Sequence, residues 1–160
     1  MAYKIRQTHR DDWEKLRELR LAALQDPVAP VAFFEPYEEA VRLTRHEWER
    51  RAAGNESVIF IGETDDGTWG GMVGAFGKRR LVYVVGVYML PEHRGTGLAT
   101  ALMRAAIDWA DGLEVRLRVH ESNKRAARFY ESLGFRPTGG TDKDPRDVSL
   151  RAYELALKPG

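Results

Sequence analysis

The run Leu81-Val82-Tyr83-Val84-Val85-Gly86-Val87-Tyr88-Met89-Leu90 passes through Pro91 into Arg94-Gly95-Thr96-Gly97-Leu98-Ala99, and a helical pattern follows at once. No other stretch restricts the fold as strongly. The run is β-branched and aromatic and reads as a strand. Pro91 ends it, because proline has no N–H to give a ladder. After the turn, Leu98, Leu102, Ala105 and Trp109 recur at helical spacing and mark an apolar face. A helix that opens on a tight turn carries unpaired N–H groups and the positive end of its dipole, so the joint suits a phosphate or pyrophosphate. Gly95 and Gly97 permit the turn, and the Arg94 guanidinium can clamp phosphate oxygens.

Two phosphate-binding motifs are excluded. There is no Gly-x-x-x-x-Gly-Lys-Ser/Thr run, so the turn is not a P-loop. A third glycine at dinucleotide-fingerprint spacing would fall at Thr100, and no βαβ unit opens the chain. Instead, Arg94-x-x-Gly97-x-Ala99 resembles the coenzyme-binding signature of the GNAT superfamily of N-acetyltransferases: Arg or Gln, two residues, Gly, one residue, Gly or Ala. Downstream, Asn123, Ala127, Tyr130 and Gly134-Phe135 resemble that family's second hallmark. The two motifs span residues 81–135, in family order.

The resemblance implies a cosubstrate, acetyl-coenzyme A, and a set of roles. Arg94, Gly95, Thr96, Gly97, Leu98, Ala99 and Thr100 would hold its pyrophosphate. The main chain of Tyr88, Met89 and Leu90 would receive the pantetheine arm, with one N–H polarising the thioester carbonyl. Asn123 and Ala127 would lie along the arm, and Tyr130 would sit beside the sulfur and protonate the departing thiolate. Each residue has a plainer reading as well: Asn123 caps a helix, and Tyr130 docks that helix in the core. Lys124, Arg125 and Arg128 fall near the adenosine end in family geometry, or simply form a solvated face.

The general base is not legible. Family members often carry a glutamate on the strand before the loop, but residues 81–90 contain no acidic side chain. Glu38, Glu39, His120 and Glu121 are the candidates; His120 suits the task by its ordinary pKa. The resemblance implies a small-molecule or peptide amine as acceptor, its pocket expected from Phe33, Phe34, Tyr37, Glu38 and residues 138–147, where Asp142, Asp144 and Asp147 would attract a cation. Two rival readings remain: a non-catalytic acyl-coenzyme A-binding or sensing domain, and an acyltransferase with another acyl group or acceptor.

Composition narrows the classes further. The 160 residues suit one domain, 1–160, and the net charge of +1 is spread without a basic stripe, so no nucleic-acid partner is expected. No apolar run reaches the ~18–20 residues that span a bilayer, and the start lacks a signal-peptide core. A cytoplasmic location without membrane partners is expected. The absence of cysteine excludes disulfides and an acyl-cysteine intermediate. Histidines 9, 46, 93 and 120 show no paired ligand spacing, so no metal is expected.

The remaining elements follow from pattern. Residues 3–8 read as a strand. Thr8 or Asp11 caps a helix to about 25 that buries Trp13, Leu16, Leu19 and Ala23. Residues 26–30 break the chain, and 35–53 form a helix in two parts, restarted by the capping-box pattern at Thr44-Arg45-His46-Glu47. Strands follow at 56–63 and 69–77. Val115, Leu117 and Val119 alternate with Arg116, Arg118 and His120 in a half-exposed strand, its charged face solvated or covered by a partner in a homodimer. Asn123 to Gly134 is a helix, 138–147 a polar loop, and 148–157 the last strand. This order of elements resembles that of the GNAT superfamily, and the resemblance implies an α/β (α+β) fold class: a single domain with a mixed twisted sheet and helices on both faces.

Overall fold

In the computed structural model, which describes residues 2–144 and 146–159, seven strands form one sheet. They are β1 (Lys4–Gln7), β2 (Val58–Glu63), β3 (Trp69–Lys78), β4 (Leu81–Met89), β5 (Glu114–His120), β6 (Arg136–Asp144) and β7 (Asp147–Leu157). Their spatial order is β1-β2-β3-β4-β5-β7-β6. Every pairing is antiparallel except β4 with β5, which is parallel.

Alternation along the strands divides the sheet between two cores. Phe60, Val73 and Met89 face one side; their neighbours Ile61, Met72 and Tyr88 face the other. The first side receives α5 (Leu98–Trp109) and α6 (Lys124–Ser132), and the second receives α1 (Trp13–Gln25), α2 (Ala29–Ala32), α3 (Tyr37–Ala40) and α4 (Arg45–Ala52). The expected mixed sheet with helices on both faces is the observed one. Leu98, Leu102, Met103 and Ala106 dock α5, each large side chain contributing roughly 1.5–3 kcal/mol by burial. Trp109, expected on that face, ends the helix 36% exposed.

Three local expectations change. Residues 138–147 are not a loop: 136–144 form edge strand β6, paired with β7. Its polar residues are compatible with a strand exposed on nearly its whole length, and only Asp144 is buried. Pro145, within the same segment, lies outside the described residues. Neither Thr8 nor Asp11 caps α1. A 3-10 turn at Arg10–Asp12 precedes it, Thr8 donates to the Ala52 carbonyl, and the Asp12 carboxylate accepts from Arg6 and the His9 N–H. The "break" after Asp26 holds the short helix α2. Caps read from sequence do form at Thr44, which accepts from Glu47 N–H at 3.2 Å, and at Asn123, which accepts from Ala126 N–H at 3.3 Å. Among the described residues, no helix is long and apolar enough to cross a membrane.

Candidate functional site

The two central strands part company halfway along. β4 and β5 pair only at Leu81–Glu114, Val82–Val115 and Tyr83–Arg116. Beyond Tyr83 they diverge, so main-chain groups of β4 that a neighbour would satisfy face a gap. The opposite edge of β4 is disturbed as well. Its register against β3 shifts between Met72–Tyr88 and Gly74–Val85, which leaves one extra residue on β4. Gly86 takes up the bulge with a φ of 61°, in the left-handed region open to glycine.

A cleft of about 510 Å³ fills the gap. Val84 to Met89 form one wall and Leu117 to His120 the other; the α5 loop closes one end. At that end Gly97 stands in the N-cap position with a φ of 85° and supplies no side-chain cap. The first backbone acceptor used by the helix is the Gly97 carbonyl, bonded by Ala101 N–H. Among the described residues, the N–H groups of Gly95, Gly97, Ala99 and Thr100 have no backbone partner. A Cβ on Gly95 or Gly97 would meet nothing within 4 Å, so open space lies over these donors. Among the described residues no carboxylate lines the cleft, whereas Arg94, Arg118 and Arg125 do. Free N–H donors, a helix dipole and guanidinium groups in the lining fit a polyphosphate, which is the charged part of coenzyme A.

The expected residues separate into groups. Tyr88, Met89, Arg94, Gly95, Gly97, Ala99, Thr100, Asn123 and Tyr130 line the cleft. Leu98 is buried in the core beneath the loop. Leu90 and Ala127 pack against the cores rather than lining the cleft. Thr96 shapes the turn: its hydroxyl donates to the His93 carbonyl at 2.6 Å and accepts from Tyr3 at 3.1 Å. Tyr130 is buried against Phe129 and Phe135, and among the described residues its hydroxyl has no hydrogen-bond partner. Burial pushes its phenol well above the ordinary tyrosine value, so it remains protonated.

Two candidate bases are placed less favourably. Glu38 is exposed at the start of α3 and does not line the cleft. His120 lines the cleft, but both ring nitrogens are occupied. Nδ1 accepts from Ser122 N–H at 3.1 Å, so Nε2 carries the proton that faces Asp144 Oδ2 at 3.2 Å. The expected charged face of β5 is satisfied within the chain: Arg116 by Glu114 and Glu154, Arg118 by Asp142 at 2.8 Å. Asp142 and Asp144 are therefore paired rather than open to a cationic acceptor. Asp144 also accepts from Arg146 N–H at 2.8 Å. Of the residues expected around the acceptor, Phe34 lines the cleft, whereas Phe33 is buried.

Sequence reading missed Asp26. Its Oδ2 accepts from Tyr88 and from Arg94 Nη2, each at 3.0 Å, and its Oδ1 accepts from Val28 N–H at 2.9 Å. Arg94 Nε donates to the Met89 carbonyl at 3.1 Å. Asp26 thereby ties the end of α1 to β4 and to the loop arginine. Burial would raise the Asp26 carboxyl, but these donors outweigh it and hold the group below its ordinary value. Burial and the Asp26 carboxylate push the Tyr88 phenol up to about 12. The signal in sequence was an Asp-Pro step, which marks a turn and says nothing of a partner 62 residues away. His93 was missed too: it is buried beside the loop, its Nδ1 lying 2.8 Å from the Tyr3 hydroxyl.

Comparison with known proteins agrees with this geometry. The model of the acetyltransferase (GNAT) family matches residues 12–135, and the chain belongs to that family. A similar relative is an uncharacterised N-acetyltransferase of Mycobacterium tuberculosis, 43% identical over 67 residues, or 39% of this chain and 42% of the relative. A mycothiol acetyltransferase of Thermobispora bispora is 52% identical over 65 residues, covering 39% of this chain and 21% of that one. The matched segment thus spans less than half of either relative. Among solved structures, a phosphinothricin acetyltransferase from Sinorhizobium meliloti in complex with acetyl-coenzyme A superimposes with a TM-score of 0.78. It covers 100% of this chain and 90% of that one at 19% identity, a likeness of fold.

Proposed function

We propose that this protein is an acetyl-coenzyme A-dependent N-acetyltransferase that moves the acetyl group directly to a primary amine. One observation carries the reading: a carboxylate-free cleft between the diverging β4 and β5 ends on the unpaired N–H groups of the α5 loop. The family membership supports the same chemistry. Acetyl-coenzyme A would supply the thioester. The N–H groups of Gly95, Gly97, Ala99 and Thr100 receive the pyrophosphate, helped by the α5 dipole. The β4 main chain beyond Tyr83 orients the pantetheine arm, and one of its N–H groups donates to the carbonyl oxygen as charge builds there. Alignment of amine and thioester in one cleft supplies most of the remaining rate.

The amine nitrogen attacks the carbonyl carbon, the C–S bond breaks, and the bonding pair leaves with sulfur. Tyr130 donates its hydroxyl hydrogen to that sulfur. The proton lost by the amine nitrogen restores the phenol through water. With the Glu38 carboxylate outside the cleft and His120 occupied on both nitrogens, the amine arrives already neutral. The proposal includes a cytoplasmic homodimer, which sedimentation velocity tests directly.

A thiol-release assay tests the reaction. The chain has no cysteine, so a thiol reagent reads only liberated coenzyme A. Amine-dependent release with stoichiometric N-acetyl product is expected. Tight acetyl-coenzyme A binding without release across a broad amine panel would instead make the protein a sensor of the thioester.

A further inference from the structure

A second cavity, of about 240 Å³, lies beyond the β4 bulge, and Val85 and Gly86 line both it and the cleft. Its other walls bring Arg20 from α1 together with Trp48 and Arg51 from α4, and with Glu35 between α2 and α3.

Its polar groups do not balance. Glu35 bridges the two arginines: Oε1 accepts from Arg20 Nε at 3.0 Å and Arg51 Nη1 at 3.1 Å, and Oε2 from Arg51 Nη2 at 2.6 Å. One carboxylate thus serves two guanidinium groups, a net charge of +1. Among the described residues, neither Nη of Arg20 has a hydrogen-bond partner. Nη1 sits at the bulge, where a Cβ on Gly86 would meet it at 3.6 Å. Trp48 is 1% exposed, and its indole Nε1 is buried without any partner among the described residues. An indole N–H buried without a partner is uncommon in a folded protein. Burial also pulls the Arg20 guanidinium down from its ordinary value, with Glu35 working against that. Glu56, exposed at the rim, and Ser57 also line the cavity, and Glu56 bears on the Arg51 charge. On the α1 side the cavity therefore presents the free Nη donors of Arg20, which shares its one carboxylate partner with Arg51.

We infer that the acceptor amine also carries a carboxylate, held in this cavity by the free Nη groups of Arg20 beside the Trp48 wall, while its amine reaches the cleft at Val85 and Gly86. The inference rests on the acyl-transfer reading and names its substrate class: a small amino acid or a close analogue. Arg20 is a binding residue in this scheme. It presents a planar pair of N–H donors matched to a carboxylate, which lysine cannot reproduce.

The test has a binding arm and a turnover arm, both on the full chain. In the binding arm, the ¹⁵N indole resonance of Trp48, assigned with Trp48→Phe, is followed while N-acetyl-glycine, -alanine, -glutamate and -phenylalanine are added, each beside its amide. A shift with one or more carboxylates and none with the amides is expected, and Arg20→Gln abolishes it. No shift with any carboxylate, or equal shifts with the amides, overturns the inference. In the turnover arm, free amino acids exceed their amides in kcat/KM by roughly 10–100-fold, the scale of a charge-assisted hydrogen bond. Arg20→Gln removes that preference while acetyl-coenzyme A affinity, read by calorimetry, stays unchanged. Equal turnover of acids and amides sinks this inference alone. A chain that binds no acetyl-coenzyme A sinks the acyl-transfer reading, and the acceptor assignment with it.

Discussion

The two cavities meet at the β4 bulge and are built from different material. The cleft between β4 and β5 owes its shape to backbone: a bulged strand, a glycine turn and the first turn of α5. The cavity behind it presents side chains from positions 20, 35, 48 and 51, none of them in a motif. A backbone site needs little from its side chains beyond smallness and permissive torsions, so a few fixed positions specify it. A side-chain site can be assembled from any positions the fold brings together. The first kind suits a ligand shared by a whole family, and the second suits one that differs from member to member.

Four experiments probe that contrast. The largest effect is expected from Tyr130→Phe, which keeps the ring and removes the proton. kcat falls by roughly 10²–10⁴-fold, the usual range for general acid catalysis, with acetyl-coenzyme A affinity unchanged. Wild-type turnover under chemistry-limited conditions would return Tyr130 to a purely structural role. Next comes Gly97→Val. At a φ of 85°, a β-branched residue is strained, and its side chain enters the open space over the loop. Left-handed backbone costs an L-residue about 1–2 kcal/mol, and acetyl-coenzyme A affinity should drop by at least about tenfold. Unchanged calorimetry would break the backbone-site argument at its centre.

The third experiment concerns the strut between the two regions. Asp26→Asn weakens charge-assisted bonds to Arg94 and Tyr88, which are typically worth about 1.5–3 kcal/mol. The folded carboxyl is held below its ordinary value, so its contribution is complete above the unfolded pKa of about 3.9 and is lost as pH falls through the lower, folded one. The acid limb of the stability–pH curve should therefore be flatter in the Asp26→Asn variant than in wild type. Parallel limbs would show that Asp26 is not a linked group. The smallest effect is expected from Thr44→Ala, which removes the cap of α4, the helix that carries Trp48 and Arg51. A cap is worth about 1 kcal/mol, so Tm falls by about 2–4 °C. If the cavity behind Gly86 depends on α4, Trp48 resonances shift in this variant while cleft resonances hold.

Legibility followed the distance over which each feature is encoded. The strand, turn and helix at 81–109 were readable because hydrophobic period and glycine position are local signals. So were the caps at Thr44 and Asn123, each closed within three residues. The cap expected for α1 at Thr8 or Asp11 failed because a 3-10 turn at Arg10–Asp12 precedes the helix and Thr8 donates to the Ala52 carbonyl, a partner 44 residues away. Residues 138–147 looked like a loop because an edge strand such as β6, with little buried side-chain area, leaves no hydrophobic period. The carboxylates of β6 looked available because their partners, Arg118 and His120, come from β5.

By itself the sequence determined the turn at Gly95 and Gly97 and the apolar faces of strands and helices, and its resemblance to the family implied the sheet with helices on both sides. These depend on torsional freedom and hydrophobic period, which are properties of neighbouring residues. Only the tertiary structure decided the divergence of β4 from β5, the Asp26 strut, the double occupation of His120 and the unbalanced arginines behind Gly86. Hydrogen-bond partners and charge balance are settled between residues far apart in the chain, after packing has chosen which of them meet.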